Sequence, residues 1–102
     1  DAIFSANSLH IMSELDAENM MAGSGLLLKA QGSLIIYGPF NYDGEYTSES
    51  NRRFDDWLKG RDPESGIKEF EWINELADQH GLTLIEDYPM PANNRILHFS
   101  KA

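Results

Sequence analysis

The chain has 102 residues, which predicts a single domain, and 17 acidic against 8 basic residues give it a formal net charge of -9. This charge argues against a nucleic acid or an anionic membrane as the main partner, because both are bound through clustered Lys and Arg. The absence of cysteine excludes disulfides and thiolate metal sites and fits the cytoplasmic location that we expect, while no signal peptide and no apolar run of roughly 18 residues is visible.

The N-terminal segment is expected to form a strand followed by a helix. Ala2 to Ala6 is a short, mostly apolar run, and the chain begins at Asp1 directly before it, which indicates a chain cut from a longer protein. Ser13, followed three residues later by Asp16, resembles a capping box, so a helix is expected from about Leu15 to Leu28.

Two glycines lie inside this first helix. Gly23 and Gly25 each weaken a helix by up to about 1 kcal/mol relative to Ala, and close packing against a neighbour is one reason to keep them. The next element, Ser33 to Tyr37, is the clearest strand in the chain. Its unbroken apolar centre predicts burial on both faces, as in a parallel sheet.

The middle of the chain is expected to contain a loop and two helices. Small polar residues predict a loop from Phe40 to Ser50, and a helix is expected from about Glu49 to Lys59. Asp62-Pro63 has the form of a cap followed by a proline at the first helical position, which predicts the start of the next helix. Gly81 predicts its end.

The C-terminal segment is expected to form two strands. Strands are predicted from Leu82 to Tyr88 and from Arg95 to Ser100. The short connector from Pro89 to Asn94 predicts that the last strand is antiparallel to its predecessor. Alternation of strands and helices predicts right-handed crossovers and a parallel sheet. The sequence therefore predicts an α/β fold with a mixed sheet of four strands, the last antiparallel, and helices on the faces.

Several segments resemble the class I S-adenosylmethionine-dependent methyltransferases. Asp1 to His10 looks like the family's fourth strand and following turn, in which an aspartate opens the strand and Leu-His closes the segment. Leu27 to Leu34 is similar to the family's approach to its fifth strand, except that Ala30-Gln31 replaces a Pro-Gly pair. The resemblance implies a Rossmann-like sheet whose last strand is antiparallel.

A closer resemblance is to a methyltransferase-like family of unknown function, and it covers nearly the whole chain. Its pattern is carried by four blocks that stand in the same order here: Tyr37 to Asn41, Thr47 to Asn51, Arg61 to Pro63, and Met90 to Asn94. The resemblance does not supply a substrate.

The resemblance also implies that a part of the domain lies outside these residues. The family holds its cofactor mainly through a Gly-rich turn after the first strand and an acidic residue ending the second, and neither is present. The Gly-Ser-Gly at Gly23 to Gly25 lies in a predicted helix, where it is no cofactor loop. Residues 1–102 are therefore expected to be the C-terminal half of a methyltransferase domain, and alone to bind S-adenosylmethionine weakly or not at all.

Candidate site residues follow from topology. Ligands of open α/β sheets bind outside the carboxyl ends of the strands, where Ser5 to His10, Tyr37 to Asp43 and Met90 to Asn94 are expected to converge. The resemblance places Ser5, Ala6 and Asn7 at the methionine end of the cofactor. His10 is a candidate general base, and the candidate substrate pocket comprises Tyr37, Asn41, Tyr42, Asn93 and Asn94.

Each candidate has a structural alternative. His10 also suits a packed histidine with one hydrogen bond, Tyr37 a core aromatic, and Asn7 and Asn93-Asn94 turns. No metal is expected, because the stretch from Asn41 to Glu45 lacks the glycine and glutamate positions of a calcium loop.

Two functions remain open at this point. The first is a methyltransferase that acts on a small molecule or a protein, of which this chain is an inactive fragment. The second is a natural half-domain that serves as a binding or assembly module. An uncovered Ala2 to Ala6 strand is an adhesive sheet edge, which predicts homo-oligomers through it.

Overall fold

The computed structural model describes residues 2–102, so Asp1, the residue expected to open the first strand, lies outside the described part. The elements, in chain order, are β1 (Ala2–Ala6), α1 (Glu14–Leu27), β2 (Ser33–Gly38), β3 (Phe40–Asn41), α2 (Glu49–Arg61), β4 (Lys68–Glu69), α3 (Phe70–Gln79), β5 (Leu82–Met90) and β6 (Asn94–Lys101). Single 3-10 turns follow β1 at Leu9–Ile11 and β5 at Pro91–Asn93.

Four strands form the main sheet in the order β1-β2-β6-β5. β1 runs parallel to β2, whereas β6 is antiparallel to both β2 and β5. This arrangement confirms the predicted α/β class with a mixed four-stranded sheet and an antiparallel last strand. A separate pair of two-residue strands, β3 and β4, lies where a loop and a helix were expected.

Serine side chains begin the first two helices. The Ser13 hydroxyl accepts a hydrogen bond from the amide of Asp16 at 3.1 Å, as the capping pattern predicts. The Ser48 hydroxyl accepts one from the amide of Asn51 at 3.0 Å and begins α2 in the same way. Both helices thus start where a side-chain oxygen satisfies a free backbone amide.

The two glycines of α1 have different surroundings. A Cβ added at Gly25 would lie 2.6 Å from the backbone oxygen of His80, so α1 and the end of α3 approach each other there more closely than any side chain allows. A Cβ at Gly23 would meet nothing within 4 Å. Close packing therefore explains Gly25 and not Gly23.

The helix predicted to start at Asp62-Pro63 and to end near Gly81 is present as α3, but the predicted start is wrong, because α3 begins only at Phe70. Asp62 instead ends α2, and its carboxylate accepts a hydrogen bond from the amide of Glu64 at 3.0 Å. This local bond makes a turn, a use of Asp that competes with helix capping. The chain then runs through Ser65 to Lys68, all buried, before α3 starts.

The hydrophobic core lies on one face of the sheet. Leu34 and Ile36 of β2 and Leu97 and Phe99 of β6 are fully buried in one cluster with residues of α1 and α3. The other face is open: Phe4 is 64% exposed, and the side chains of Ser33, Ile35 and Tyr37 are half-buried. The prediction that β2 is buried on both faces is therefore wrong for this chain, because both core helices cover the same face.

No helix among residues 2–102 combines the length and the apolar character needed to cross a membrane.

Candidate functional site

A cavity of about 330 Å³ opens at the carboxyl ends of β1 and β2. Four parts of the chain meet there: the turn after β1, the end of β2, the start of α2, and the hairpin between β5 and β6. The lining residues are Asn7, His10, Pro39, Ser50, Asn51, Phe54, Ala92 and Asn94.

Asn7 and Tyr37 connect the ends of the two parallel strands. The amide of Asn7 donates a 2.8 Å hydrogen bond to the carbonyl of Tyr37, and Asn7 adopts φ 54°, a left-handed conformation that Asn tolerates. The Tyr37 hydroxyl accepts a longer bond, 3.4 Å, from the side-chain amide of Asn94. Tyr37 thus contacts residues of the cavity from β2 without lining it.

His10 is buried at the wall of the cavity. Its ring lies 5.4 Å from the ring of Phe54, and its Nδ1 lies 3.6 Å from the position that a Cβ on Gly38 would occupy. Burial, and after it the charge of Lys68, lowers the pKa of His10 below the ordinary 6.5. The imidazole is therefore neutral at pH 7 and retains one nitrogen that can accept a proton.

The backbone around His10 is held from the loop before β4. The amide of Gly66 donates a 2.8 Å hydrogen bond to the carbonyl of His10. The ammonium of Lys68 donates to the carbonyls of Met12 at 2.6 Å and Gly66 at 2.8 Å. Burial lowers the pKa of Lys68, and nearby Glu14 and Asp55 oppose that shift.

Two asparagines have side-chain orientations that the surrounding carbonyls determine. The Nδ2 of Asn51 donates to Thr47 Oγ1 at 2.9 Å and to the carbonyl of Asn93 at 3.4 Å. The Nδ2 of Asn94 donates to the carbonyl of Pro91 at 3.4 Å. A carbonyl only accepts, so these contacts identify the nitrogen of each amide.

The hairpin turn that precedes Asn94 is strained. Ala92 has φ 61° and Asn93 has φ 60°, and for alanine this left-handed conformation costs roughly 1 kcal/mol or more. Such strain is found disproportionately beside ligand sites. Asn93 is not among the residues that line the cavity, but its backbone carbonyl accepts the hydrogen bond from Asn51 Nδ2.

Two of the expected pocket residues lie elsewhere. Tyr42 donates a 2.8 Å hydrogen bond to Asp87 and stacks on Phe70 at 5.1 Å, away from the cavity. Burial and the bond to Asp87 raise the pKa of Tyr42. Asn41 is buried in β3, and no described residue bonds to its Oδ1. Neither residue lines the cavity with His10.

The residues expected to contact the cofactor lie at the carboxyl end of β1. Ser5 is half-buried, and Ala6 and Asn7 are exposed. Of these, Asn7 lines the cavity.

The sequence reasoning missed the contribution of α2. Ser50, Asn51 and Phe54 form one wall of the cavity, yet none of the three was predicted as a site residue, and the Thr47 to Asn51 block carried only the family resemblance. Ser48 caps the helix, so the same block also brings Asn51 to the cavity. The sequence signal for this wall was a polar residue, Asn51, three residues before an aromatic one, on the turn of α2 that faces the site.

Among residues 2–102, no three His, Cys, Asp or Glu residues lie close enough together to hold a metal ion. A second cavity, of about 660 Å³, lies between the start of α1 and the loop that follows α2. Its lining includes six charged residues, namely Glu14, Asp16, Lys59, Glu64, Lys68 and Glu69.

Comparison with known proteins gives a family and a fold. The model of the protein family of unknown function DUF938 matches residues 1–101, so the chain belongs to that family. The fold of the chain is methyltransferase-like, as its similarity to solved structures shows. An O-methyltransferase family 2 protein from Planctomyces limnophilus, solved in complex with apigenin, superposes with a TM-score of 0.90 at 17% identity, covering 100% of this chain and 31% of that chain.

Two further solved structures are similar to this chain. An O-methyltransferase family protein from Burkholderia thailandensis has a TM-score of 0.85 at 16% identity, over 99% of this chain and 30% of that one. CalO1, a methyltransferase in calicheamicin biosynthesis solved in its SAH-bound form, has a TM-score of 0.79 at 13% identity, over 99% and 30%. The chain thus has a methyltransferase fold and spans less than a third of the length of these proteins.

Proposed function

We propose that this chain is the C-terminal half of an S-adenosylmethionine-dependent methyltransferase domain that methylates a small molecule or a protein. The observation that carries the proposal is the cavity at the carboxyl ends of β1 and β2, where a neutral buried histidine lies beside Asn7 and Asn94. Ligands of open α/β sheets bind at this edge. Likeness to O-methyltransferases over the whole chain supports the same function.

The residues present suit one end of the cofactor. Bound there, S-adenosylmethionine supplies a methyl group on a positively charged sulfur that is already a good leaving group. Ser5, Ala6 and Asn7 would meet its methionine end at the outer end of β1, where Ala6 and Asn7 are exposed and available for contact. The cofactor's adenosine would be held by the other half of the domain, so this chain alone binds the cofactor weakly or not at all.

The chain's own part in the reaction is alignment and proton removal. Pro39 and Phe54 give the cavity apolar walls that exclude water, and Asn51 and Asn94 orient the methyl acceptor. The neutral imidazole of His10 would accept the proton of an acceptor hydroxyl at its unprotonated ring nitrogen. Because a sulfonium sulfur departs as a neutral thioether, which is a good leaving group, this base would assist the reaction and need not supply most of the rate.

A second candidate function is a half-domain that works as a binding or oligomerisation module. The observation that favours it is the open edge and face of β1, where Phe4 is 64% exposed. Among the described strands β1 pairs with β2 alone, so a second copy that pairs along its other side would bury its edge. Homo-oligomers through Ala2–Ala6 are the expected consequence.

The experiment that tests the enzyme function is calorimetric titration of S-adenosylhomocysteine into the full-length protein that contains this chain and, separately, into residues 1–102. The proposal predicts one site per full-length molecule and weak or absent binding to the isolated chain. If the full-length protein fails to bind, it is no S-adenosylmethionine-dependent methyltransferase. Sedimentation of the isolated chain then tests the module, which predicts dimers or larger assemblies.

A further inference from the structure

The cavity beside His10 is lined by neutral groups. Of the described residues that line it, none carries a full charge, since the pKa of His10 is lowered. The rest of the molecule is different: 25% of its residues are charged, and the second cavity is lined by six of them. A neutral lining is thus a property of this cavity and not of the surface in general.

The cavity lining offers free hydrogen-bond acceptors beside the side chains of Asn7 and Ser50, which can also donate. The Nδ2 groups of Asn51 and Asn94 are directed to protein carbonyls, and no described residue donates to the Oδ1 of either amide. Neither oxygen is sealed from solvent, so both are free to accept from a ligand. One nitrogen of the neutral His10 ring adds a third acceptor.

We propose that this cavity takes an uncharged small molecule that donates hydrogen bonds through hydroxyl or amide groups and packs an aromatic or apolar face against Phe54. The inference rests on the proposed function, in which this molecule is the methyl acceptor. A volume of about 330 Å³ lies at the lower end of the range for small-molecule sites, which selects a small molecule over a protein acceptor.

Charged ligands are disfavoured for two reasons. An anion would meet the oxygens of Asn51 and Asn94, and no Lys or Arg among the described lining residues compensates for its lost water. An ammonium would suit the acceptors, but no carboxylate among the described lining residues balances its charge. A neutral hydroxyl or amide forms the same hydrogen bonds without either cost.

The test uses full-length protein saturated with S-adenosylhomocysteine and three probes of matched size. These are 4-hydroxybenzamide, 4-hydroxybenzoate and 4-hydroxybenzylamine, which are neutral, anionic and cationic at pH 7. Saturation-transfer NMR measures the affinity of each. The proposal predicts that the dissociation constant of the benzamide is lower than that of either charged probe by about tenfold or more.

Two variants of α2 locate the effect in the cavity. Ser50→Asp places a carboxylate on the cavity wall at an exposed position in the first turn of α2, where an acidic residue also suits the helix terminus. It is expected to shift the preference toward the benzylamine by about tenfold. Arg53→Gln changes the net charge by the same amount on an exposed residue outside the cavity and should leave the preference unchanged.

The outcomes separate this inference from the proposed function. Equal or tighter binding of the benzoate or the benzylamine overturns the inference, and so does the failure of all three probes to bind at millimolar concentration. Binding of S-adenosylhomocysteine is measured independently. If it fails while the benzamide is still preferred, the methyltransferase proposal falls and the neutral ligand site stands.

Discussion

The backbone amide of Gly66 donates a 2.8 Å hydrogen bond to the carbonyl of His10. Through this bond, the loop that follows α2 supports the turn that carries the candidate base. Asp55 holds the same loop from the other side, because its buried carboxylate accepts a 2.8 Å bond from the amide of Ile67. The position of His10 therefore depends on residues far from it in the sequence.

Replacing Gly66 with Ala should destabilise the protein. Gly66 has φ 151°, which favours glycine, and an added Cβ would lie 2.9 Å from Lys59 Cε and 3.0 Å from Asp55 Oδ1. We expect a loss of about 1–3 kcal/mol in the free energy of unfolding, measured by urea denaturation. Gly60→Ala is the control: it lies in α2 with nothing within 4 Å and should stabilise by roughly 0.5–1 kcal/mol. Equal stability of the two variants would contradict this description of the loop.

The two glycines of α1 give a second matched pair. Gly25→Ala forces a Cβ to within 2.6 Å of the His80 carbonyl oxygen, so α1 must move away from the end of α3. We expect a loss of about 1–3 kcal/mol from overpacking. Gly23→Ala fills open space and should gain up to about 1 kcal/mol from helix propensity. Thermal unfolding measures both, and a gain in both variants would show that the helices do not meet at Gly25.

The protonation of His10 can be followed directly by NMR titration of its ring protons. Burial lowers its pKa below 6.5 in the folded state, so the unfolded chain binds this proton more readily. The contribution of His10 to stability is therefore unaffected above the unfolded pKa and becomes unfavourable as pH falls below about 6.5. A folded-state pKa of His10 at or above 6.5 would contradict this account.

Lys68 supplies the second cause of that shift. Lys68→Gln removes the charge while keeping a donor for the Met12 and Gly66 carbonyls. The pKa of His10 is expected to rise but to stay below 6.5, because burial remains. Lys101→Gln removes a lysine that contacts the His80 carbonyl instead and should leave the pKa of His10 unchanged.

Asp55 should make stability depend on acid pH. Burial raises its pKa, but hydrogen bonds from Tyr46, the Ile67 amide and Lys59 outweigh burial and lower it overall. Its contribution is therefore present above its unfolded pKa near 3.8 and is lost as pH falls through the folded value.

Asp55→Asn tests that contribution. We expect it to lower the free energy of unfolding by about 1.5–3 kcal/mol at pH 7, which is the usual contribution of hydrogen bonds to a charged group. The loss should be clearly smaller at pH 2.5. Asp56→Asn, at an exposed neighbouring position with a 3.6 Å contact to Arg52, should cost under about 0.5 kcal/mol at both pH values. Urea denaturation at the two pH values measures the difference. A cost for Asp55→Asn that is the same at both would contradict the assignment.

The regular elements of the fold could be predicted because their signals are local. The apolar run at Ser33 to Tyr37, the cap at Ser13 and the stop at Gly81 each depend on a few adjacent residues, and the structure has a strand, a helix start and a helix end there. The antiparallel direction of β6 was predicted from the short connector before it, and the structure confirms it.

The loop from Ser65 to Lys68 could not be predicted in the same way. Asp62-Pro63 has the form of a helix start, but the Asp62 side chain bonds to Glu64, and the buried loop depends on Asp55 and His10, which lie in other elements. Local propensity is overridden where such long-range partners exist.

Topology predicted that residues after the strand ends lie close together at one edge of the sheet. His10, Asn7 and Asn94 meet in one cavity because they follow strand ends at the same edge. Tyr42 lies apart because Asp87 and Phe70 hold its side chain, and neither partner is visible from the sequence around Tyr42.

The proposed half-domain requires β1 to be an inner strand of a larger sheet that another half of the domain completes. Asn7 donates its amide to Tyr37 of β2, and amides alternate in direction along a strand, so those of Phe4 and Ala6 face the outer edge. The decisive measurement is hydrogen exchange of these amides in full-length protein shown to be monomeric by sedimentation. The account predicts that Phe4 and Ala6 exchange as slowly as Ser5, which faces β2. Fast exchange at Phe4 and Ala6 beside a protected Ser5 would contradict it.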